Sequence, residues 1–151
     1  MKMHPADISK EIKGYSFFKS FSDDWLLQVC AMVHTSDLKA GEFLLKEGQA
    51  NDCLYFLRKG KVDVSLAGEI LATLENPGEI FGEMSVITAN PTSTTVKALS
   101  ESSFFFIRAK DFAHVHPKDQ DRFQALLYKI YCHVLTDRLM KTNEKARLFE
   151  I

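Results

Sequence analysis

The sequence has few cysteines and no long hydrophobic run, and both shortages narrow the class of protein. Its three cysteines, Cys30, Cys53 and Cys132, are odd in number and far apart, which suits neither a disulfide framework nor a pair of zinc ligands. We therefore expect a reducing, cytoplasmic environment. No apolar stretch approaches the ~20 residues of a transmembrane helix, and charges within the first eleven residues interrupt any signal-peptide core. We expect neither a targeting segment nor a membrane partner.

An excess of charge of one sign is also lacking. The 151 residues include 19 Lys and Arg against 20 Asp and Glu, a formal net charge of −1. Proteins that bind duplex nucleic acid neutralise its phosphates with clustered cations, so this balance predicts no DNA partner. With 46% hydrophobic and 26% charged residues, the composition is typical of a folded globular protein. The length predicts a single domain over residues 1–151.

Helical signals mark the first 35 residues. Pro5 suits a first helical turn and Gly14 suits a helix end, because Pro lacks the N–H that would be left unpaired there and Gly tolerates positive φ. Ser22 is a potential N-cap for a second helix, which we expect to end near His34. N-terminal helices are thus predicted within residues 1–35.

The middle of the chain consists of short apolar runs separated by turn residues. Val62, Val64 and Leu66 alternate with polar residues, which is the period of a half-buried strand. Other runs predicted to be strands are FLLKEG, CLYFLRKG, ILATLENPGE, STTVKALS and SFFFIRA. Closely spaced strands without helices between them pair antiparallel. We predict an α+β fold with an antiparallel sandwich or small barrel over residues 36–108.

Helical periodicity returns in residues 109–151, first in the segment KDFAHV and then in a long C-terminal helix with a broad apolar stripe. The stripe comprises Phe123, Leu126, Leu127, Ile130, Tyr131, Val134, Leu135 and Leu139. It either packs on the strands of its own chain or forms a seam with a second copy. Its width slightly favours a homodimer.

The segment PGEIFGEMSVITANPTSTTVKA carries the main chemical signal. It predicts a strand that enters one helical turn, whose first N–H groups have no acceptor within the helix. Gly82 allows close approach, so these groups suit a phosphate or another anion. Glu83 would repel an anion and is better suited to accept from sugar hydroxyls. The alternative is a tight turn in which Glu83 only interacts favourably with the helix dipole.

The spacing of these residues resembles the cyclic nucleotide-binding domain, a family that includes catabolite activator proteins, protein kinase A regulatory subunits and cyclic-nucleotide-gated channels. The matching residues extend from about Leu38 to Phe112, roughly half of the chain. They are Gly41-Glu42, Glu47-Gly48, Asp52, Leu54-Tyr55-Phe56, Gly60, Gly78, Phe81-Gly82-Glu83 and Thr95-Val96-Lys97-Ala98.

The resemblance implies a jelly-roll-like β-roll, or double-stranded β-helix, in which residues 78–98 form a phosphate-binding cassette. The implied ligand is cAMP or cGMP, with no further cofactor. Glu83 would accept from the ribose 2′-hydroxyl, and a hinge helix and the C-terminal helix would relay occupancy, either within a homodimer or to a separate effector protein. The implied ligand-binding residues are Phe81, Gly82, Glu83, Met84, Ser85, Thr92, Ser93 and Thr94.

One position departs from the family pattern. Members that bind tightly carry Arg after the proline of this loop, whereas Pro91 is followed here by Thr92. Losing a hydrogen bond to a charged group removes ~2 kcal/mol, or ~30-fold in affinity. Arg58 and Lys97 are candidate replacement cations, although the family often has a solvent-facing charge at the position of Lys97.

Two other classes of function remain open. One is a degenerate domain of the same fold that binds no nucleotide and serves in dimerisation or docking. The other is a metal-dependent enzyme of the cupin type, but the histidines that could bind metal, His114, His116 and His133, all lie late in the chain. No nucleophile, base and orienting residue occur in recognisable spacing, so we predict neither an enzyme nor a metal site.

Overall fold

The computed structural model describes residues 3–114 and, beyond them, residues 121, 124–125, 128–129, 131–132, 134–136 and 139–140. The chain divides into two compact units, Met1–Ala113 and His114–Ile151. The described residues of the second unit are helical, and Thr136 Oγ1 donates to the Cys132 carbonyl at 2.7 Å. Four residues of the predicted stripe lie outside the described residues: Phe123, Leu126, Leu127 and Ile130.

The first unit begins with helix α1 (Pro5–Ile12), a 3-10 turn (Ser16–Ser20) and helix α2 (Asp23–Cys30). As predicted, Ser22 caps α2, because its Oγ accepts from the Trp25 N–H at 3.3 Å. Among the described residues, no helix combines the length and hydrophobicity needed to cross a bilayer.

The prediction that α2 continues to near His34 is wrong. The helix ends at Cys30, and His34 begins a strand whose partner residue is Phe106. Val33 fits the helical spacing of apolar residues because it is buried. It lies in a turn instead, where its N–H donates to the Cys30 carbonyl at 3.2 Å. The ladder formed by His34 and the next four residues replaces the helical hydrogen bonds that these residues would have made.

In the part of the chain that the structure describes, eight strands form two antiparallel four-stranded sheets, which confirms the predicted fold. One sheet has the order β1-β8-β3-β6 and the other has the order β2-β7-β4-β5. The strands are β1 (His34–Leu38), β2 (Phe43–Leu45), β3 (Cys53–Lys59), β4 (Val62–Leu66), β5 (Glu69–Leu74), β6 (Ile80–Phe81), β7 (Thr95–Ala98) and β8 (Ser102–Arg108). Helix α3 (Glu83–Thr88) interrupts them after β6, and a 3-10 helix (Ala109–His114) follows β8.

Alternating apolar residues from both sheets fill the space between them. Phe104 of β8 is completely buried in this space. Phe105, the next residue, is almost completely buried on the opposite face of the same sheet, where its ring centroid lies 6.4 Å from that of Tyr15. The central cluster includes Phe81, so the last residue of β6, two positions before helix α3, is anchored in the core. The other buried members are Leu45, Leu57, Val62, Val64, Val96, Ala98 and Phe104.

Candidate functional site

The candidate site begins where the very short strand β6 leaves the sheet. Its two residues pair only with β3, Ile80 with Phe56 and Phe81 with Tyr55. The rings of Tyr55 and Phe81 are nearly parallel, at an interplanar angle of 8° and a centroid distance of 5.4 Å. Burial, and secondarily Cys53, raise the pKa of the Tyr55 hydroxyl well above its usual range. This stacked pair fixes the point at which the chain turns into helix α3.

Gly82 makes that turn, and only glycine fits there. Its φ is +82°, in the left-handed region that L side chains rarely adopt. A Cβ at this position would also lie 2.7 Å from the Cys53 carbonyl oxygen. The main chain of the cassette therefore packs directly against the start of β3, whereas the sequence predicted close approach of an anion at this glycine.

Helix α3 places two of the predicted polar residues in the interior. Glu83 is 2% exposed and Ser85 is 6% exposed. Burying a carboxylate is costly unless other groups compensate for its lost hydration. Met84 lies between them in α3. The predicted hydrogen-bond acceptor is thus buried in the first turn of this helix.

Asn51 is a residue of the site that sequence reasoning missed. Its side chain lies between the first residue of β3 and Gly82, and it bonds to the main chain of both. An asparagine ahead of a strand indicates only a turn, so nothing local in the sequence pointed to this contact.

Cys53 is the residue of β3 whose carbonyl group lies next to Gly82. Burial, together with a hydrogen bond to Asp52, raises the pKa of the Cys53 thiol to about 11. The thiol is therefore neutral at physiological pH and adds no charge to this side of the site.

Thr92, in the second half of the cassette, is hydrogen-bonded to the turn between β2 and β3. Its hydroxyl donates to the Lys46 carbonyl at 2.6 Å, its N–H donates to the Gln49 carbonyl at 2.9 Å, and its carbonyl accepts from the Gly48 N–H at 2.9 Å. Thr92 is buried, whereas Ser93 is exposed and Thr94 is half-buried. The single hydroxyl proton of Thr92 is thus used by the turn between β2 and β3.

Replacing Thr92 with valine should lower the free energy of unfolding by about 1 kcal/mol, because the shape is preserved but the bond to Lys46 is lost. Urea denaturation measures this change. Replacing exposed Ser93 with alanine is the matched control and should change stability by less than ~0.5 kcal/mol. Equal effects of the two substitutions would contradict the structural role of the Thr92 hydroxyl.

The two candidate replacement cations are engaged elsewhere. The Arg58 guanidinium makes two hydrogen bonds of 2.9 Å to the Glu11 carboxylate and lies 4.4 Å from the Phe105 ring centroid. The hydrogen bond to Glu11 raises the pKa of Arg58 further. Lys97 is exposed, and its ammonium lies 5.5 Å from the ring centroid of Phe43. Both side chains are committed to contacts outside the turn from β6 into α3.

Replacing Arg58 with methionine should lower the free energy of unfolding by about 1 kcal/mol, since the two-pronged pair with Glu11 is partly buried. It should leave the affinity for any cassette ligand unchanged within twofold. The control is replacement of Lys13 with methionine, which breaks an exposed ion pair with Asp23 and should cost less than ~0.5 kcal/mol. A large loss of affinity in the Arg58 variant would show that this cation does serve the site.

The predicted histidine positions are only partly described. His114 ends the 3-10 helix after β8, and His116 and His133 lie outside the described residues. Within the described part of the chain, no three His, Cys, Asp or Glu side chains lie close enough to hold a metal ion.

The family is decided by comparison with known proteins. A model described as the cyclic nucleotide-binding domain matches residues 35–119, more than half of the sequence. The chain belongs to the cyclic nucleotide-binding domain family. Members are regulatory ligand-binding domains rather than catalytic ones.

Proteins similar to this chain include one named for cGMP, one with bound cAMP and one named as independent of cAMP. A cGMP-dependent protein kinase of Toxoplasma gondii is 32% identical over 93 residues, which is 62% of this chain but 9% of the kinase. The cAMP-bound structure of PfPKA-R has a TM-score of 0.77 at 18% identity, covering 94% of this chain and 47% of that one. The regulatory subunit of a cAMP-independent protein kinase A from Trypanosoma brucei scores 0.76 at 12% identity, covering 93% and 49%. The shared fold alone therefore does not identify the ligand.

Proposed function

We propose that this chain is a regulatory module that binds a cyclic nucleotide, cAMP or cGMP, in the cassette formed by residues 78–98. The observation that carries the proposal is the buried Glu83, set directly after a left-handed glycine in a domain of this family. We assign Glu83 as the acceptor of the ribose 2′-hydroxyl, because a carboxylate accepts hydrogen bonds at both oxygens and a sugar hydroxyl can donate one.

The phosphate would be held by neutral donors. We assign this role to the main chain at Gly82, Met84 and Ser85, with Phe81 anchoring the turn and the hydroxyls of Ser93 and Thr94 completing the set. Thr92 joins them only when its hydroxyl turns away from the Lys46 carbonyl, which it contacts in this structure. A related small anion of similar size would use the same donors.

We expect this chain to bind a cyclic nucleotide more weakly than tight-binding members of the family do. Thr92 stands where tight-binding members carry Arg. A missing charged hydrogen bond is worth about 1.5–3 kcal/mol, which is roughly 10- to 150-fold in affinity. Because binding would stabilise one arrangement of the C-terminal helix over another, occupancy would be relayed to a second copy or to a separate effector protein.

The proposal is tested by isothermal titration calorimetry with cAMP and cGMP, raised to millimolar concentration, together with the shift in melting temperature. We expect saturable heat and a positive thermal shift with at least one of the two nucleotides. The absence of both signals with both nucleotides would defeat the proposal.

The alternative is a module of this family that binds no nucleotide and serves in dimerisation or docking. The bonds that Thr92 makes to the turn between β2 and β3 favour it, because they close one end of the cassette without a ligand. Sedimentation of the chain with and without nucleotide separates the two functions. A dimer whose dissociation constant is the same with and without cAMP or cGMP would support the alternative.

A further inference from the structure

The side chain of Asn51 joins the start of β3 to the turn that opens the cassette. Its Nδ2 donates to the Cys53 carbonyl at 3.0 Å and to the Gly82 carbonyl at 3.4 Å, and its Oδ1 accepts from the Cys53 N–H at 3.1 Å. A carboxamide has its donors and its acceptor in fixed places. Since Oδ1 is held by the Cys53 N–H, the nitrogen must face the two carbonyl oxygens.

This contact bears on the direction of the peptide between Gly82 and Glu83. The Gly82 carbonyl and the Glu83 N–H belong to one planar trans peptide and point in opposite directions. Holding the carbonyl toward Asn51 therefore turns the Glu83 N–H away from β3. Glycine is the most permissive residue for rotation about its own bonds, and β6 supplies only two paired residues before this point. The Asn51 contact therefore adds a restraint from outside the helix to the one that α3 itself places on its N-cap carbonyl.

We propose that Asn51 is a positioning residue of the nucleotide site, which fixes the peptide between Gly82 and Glu83 and so aims the main chain and the Glu83 carboxylate at the ligand. It acts through its main-chain contacts and touches no ligand itself. The effect on affinity rests on the proposed function, whereas the effect on the direction of the peptide is independent of any ligand.

The test uses two variants of the whole chain. Asn51→Asp keeps the shape and the acceptor for the Cys53 N–H, but places an anionic oxygen against the Cys53 and Gly82 carbonyl oxygens. We expect the Gly82 carbonyl to rotate away from residue 51 in a crystal structure of this variant. We also expect cAMP and cGMP to bind about ten- to a hundredfold more weakly, the equivalent of one charged hydrogen bond.

Asn51→Ala separates positioning from simple stability. It leaves both the Cys53 N–H and the Gly82 carbonyl without the side-chain partner, but it repels neither, so we expect a smaller loss of affinity of about three- to tenfold. A merely structural role predicts the reverse order, because alanine removes more bonds than aspartate does. Asn76→Asp, at an exposed turn residue, controls for the added charge and should leave affinity unchanged.

The outcomes are distinguishable. A Gly82 carbonyl that keeps its direction in the Asn51→Asp structure would overturn the inference, whether or not a nucleotide binds. A rotated carbonyl with unchanged affinity would overturn it as well. If the unaltered chain binds neither nucleotide, the proposed function fails, and the direction of the carbonyl in the variant still decides the role of Asn51.

Discussion

Replacing Gly82 with alanine should lower the free energy of unfolding by about 2–4 kcal/mol. The left-handed φ of +82° alone costs a non-glycine residue roughly 1–2 kcal/mol. The added Cβ would also lie 2.7 Å from the Cys53 carbonyl oxygen, a main-chain atom that cannot move away as a flexible side chain would. The first residues of α3 must then shift, so nucleotide affinity should fall together with stability.

Gly68 provides the matched control for this substitution. Its φ of +85° is nearly the same, but a Cβ there would meet nothing within 4 Å. Replacing Gly68 with alanine therefore isolates the conformational cost and should lower the free energy of unfolding by only about 1 kcal/mol. Urea denaturation of both variants measures the difference. Equal losses would mean that close approach to β3 does not restrict residue 82.

Replacing Thr92 with arginine should tighten cyclic nucleotide binding about 30-fold. The guanidinium would restore a charged, two-pronged partner for the cyclic phosphate at the position where tight-binding members carry one. It would also remove the bond from the Thr92 hydroxyl to the Lys46 carbonyl, so we expect the free energy of unfolding to fall by about 1 kcal/mol. Affinity and stability should thus change in opposite directions, which calorimetry and urea denaturation measure separately.

Replacing Thr92 with methionine distinguishes the charge from the length of the new side chain. Methionine also loses the bond to Lys46, but it offers no charge to the phosphate. We expect the arginine variant to bind at least tenfold more tightly than the methionine variant, and the difference to shrink at high salt. Equal affinities would indicate that the cassette cannot direct residue 92 toward a phosphate.

The β-roll could be predicted because its signals are local and repeated. The alternation in β4 indicates a strand buried on one face, and the apolar run of β8 indicates a strand buried on both faces. The capping role of Ser22 depends only on the helix that directly follows it. The polar strand β1 carried no such signal. His34–Leu38 is a strand because β8 offers it a ladder, and this pairing joins residues about seventy positions apart.

The candidate site was predictable to the extent that it follows one continuous segment. The strand that passes through Gly82 into a helical turn agrees with the expectation drawn from this segment, whereas the burial of Glu83 was not predicted. The engagement of Thr92 with Lys46 and of Arg58 with Glu11 depends on which distant main-chain and side-chain groups the fold brings near. The role of Asn51 has the same origin, since its partner Gly82 lies thirty-one positions away.

The most direct test of the central claim is a thermodynamic cycle between Glu83 and the ribose 2′-hydroxyl. Calorimetry would compare cAMP with 2′-deoxy-cAMP, each titrated into the unaltered chain and into the Glu83→Gln variant, with melting temperatures confirming that both proteins are folded. We predict that the unaltered chain prefers cAMP by about tenfold or more, the value of a hydrogen bond to a carboxylate, and that the preference falls below about threefold in the variant. If the unaltered chain binds only cGMP, the same comparison is made with cGMP and 2′-deoxy-cGMP. The same preference in both proteins, or no binding of either cAMP or cGMP by the unaltered chain, would contradict the account.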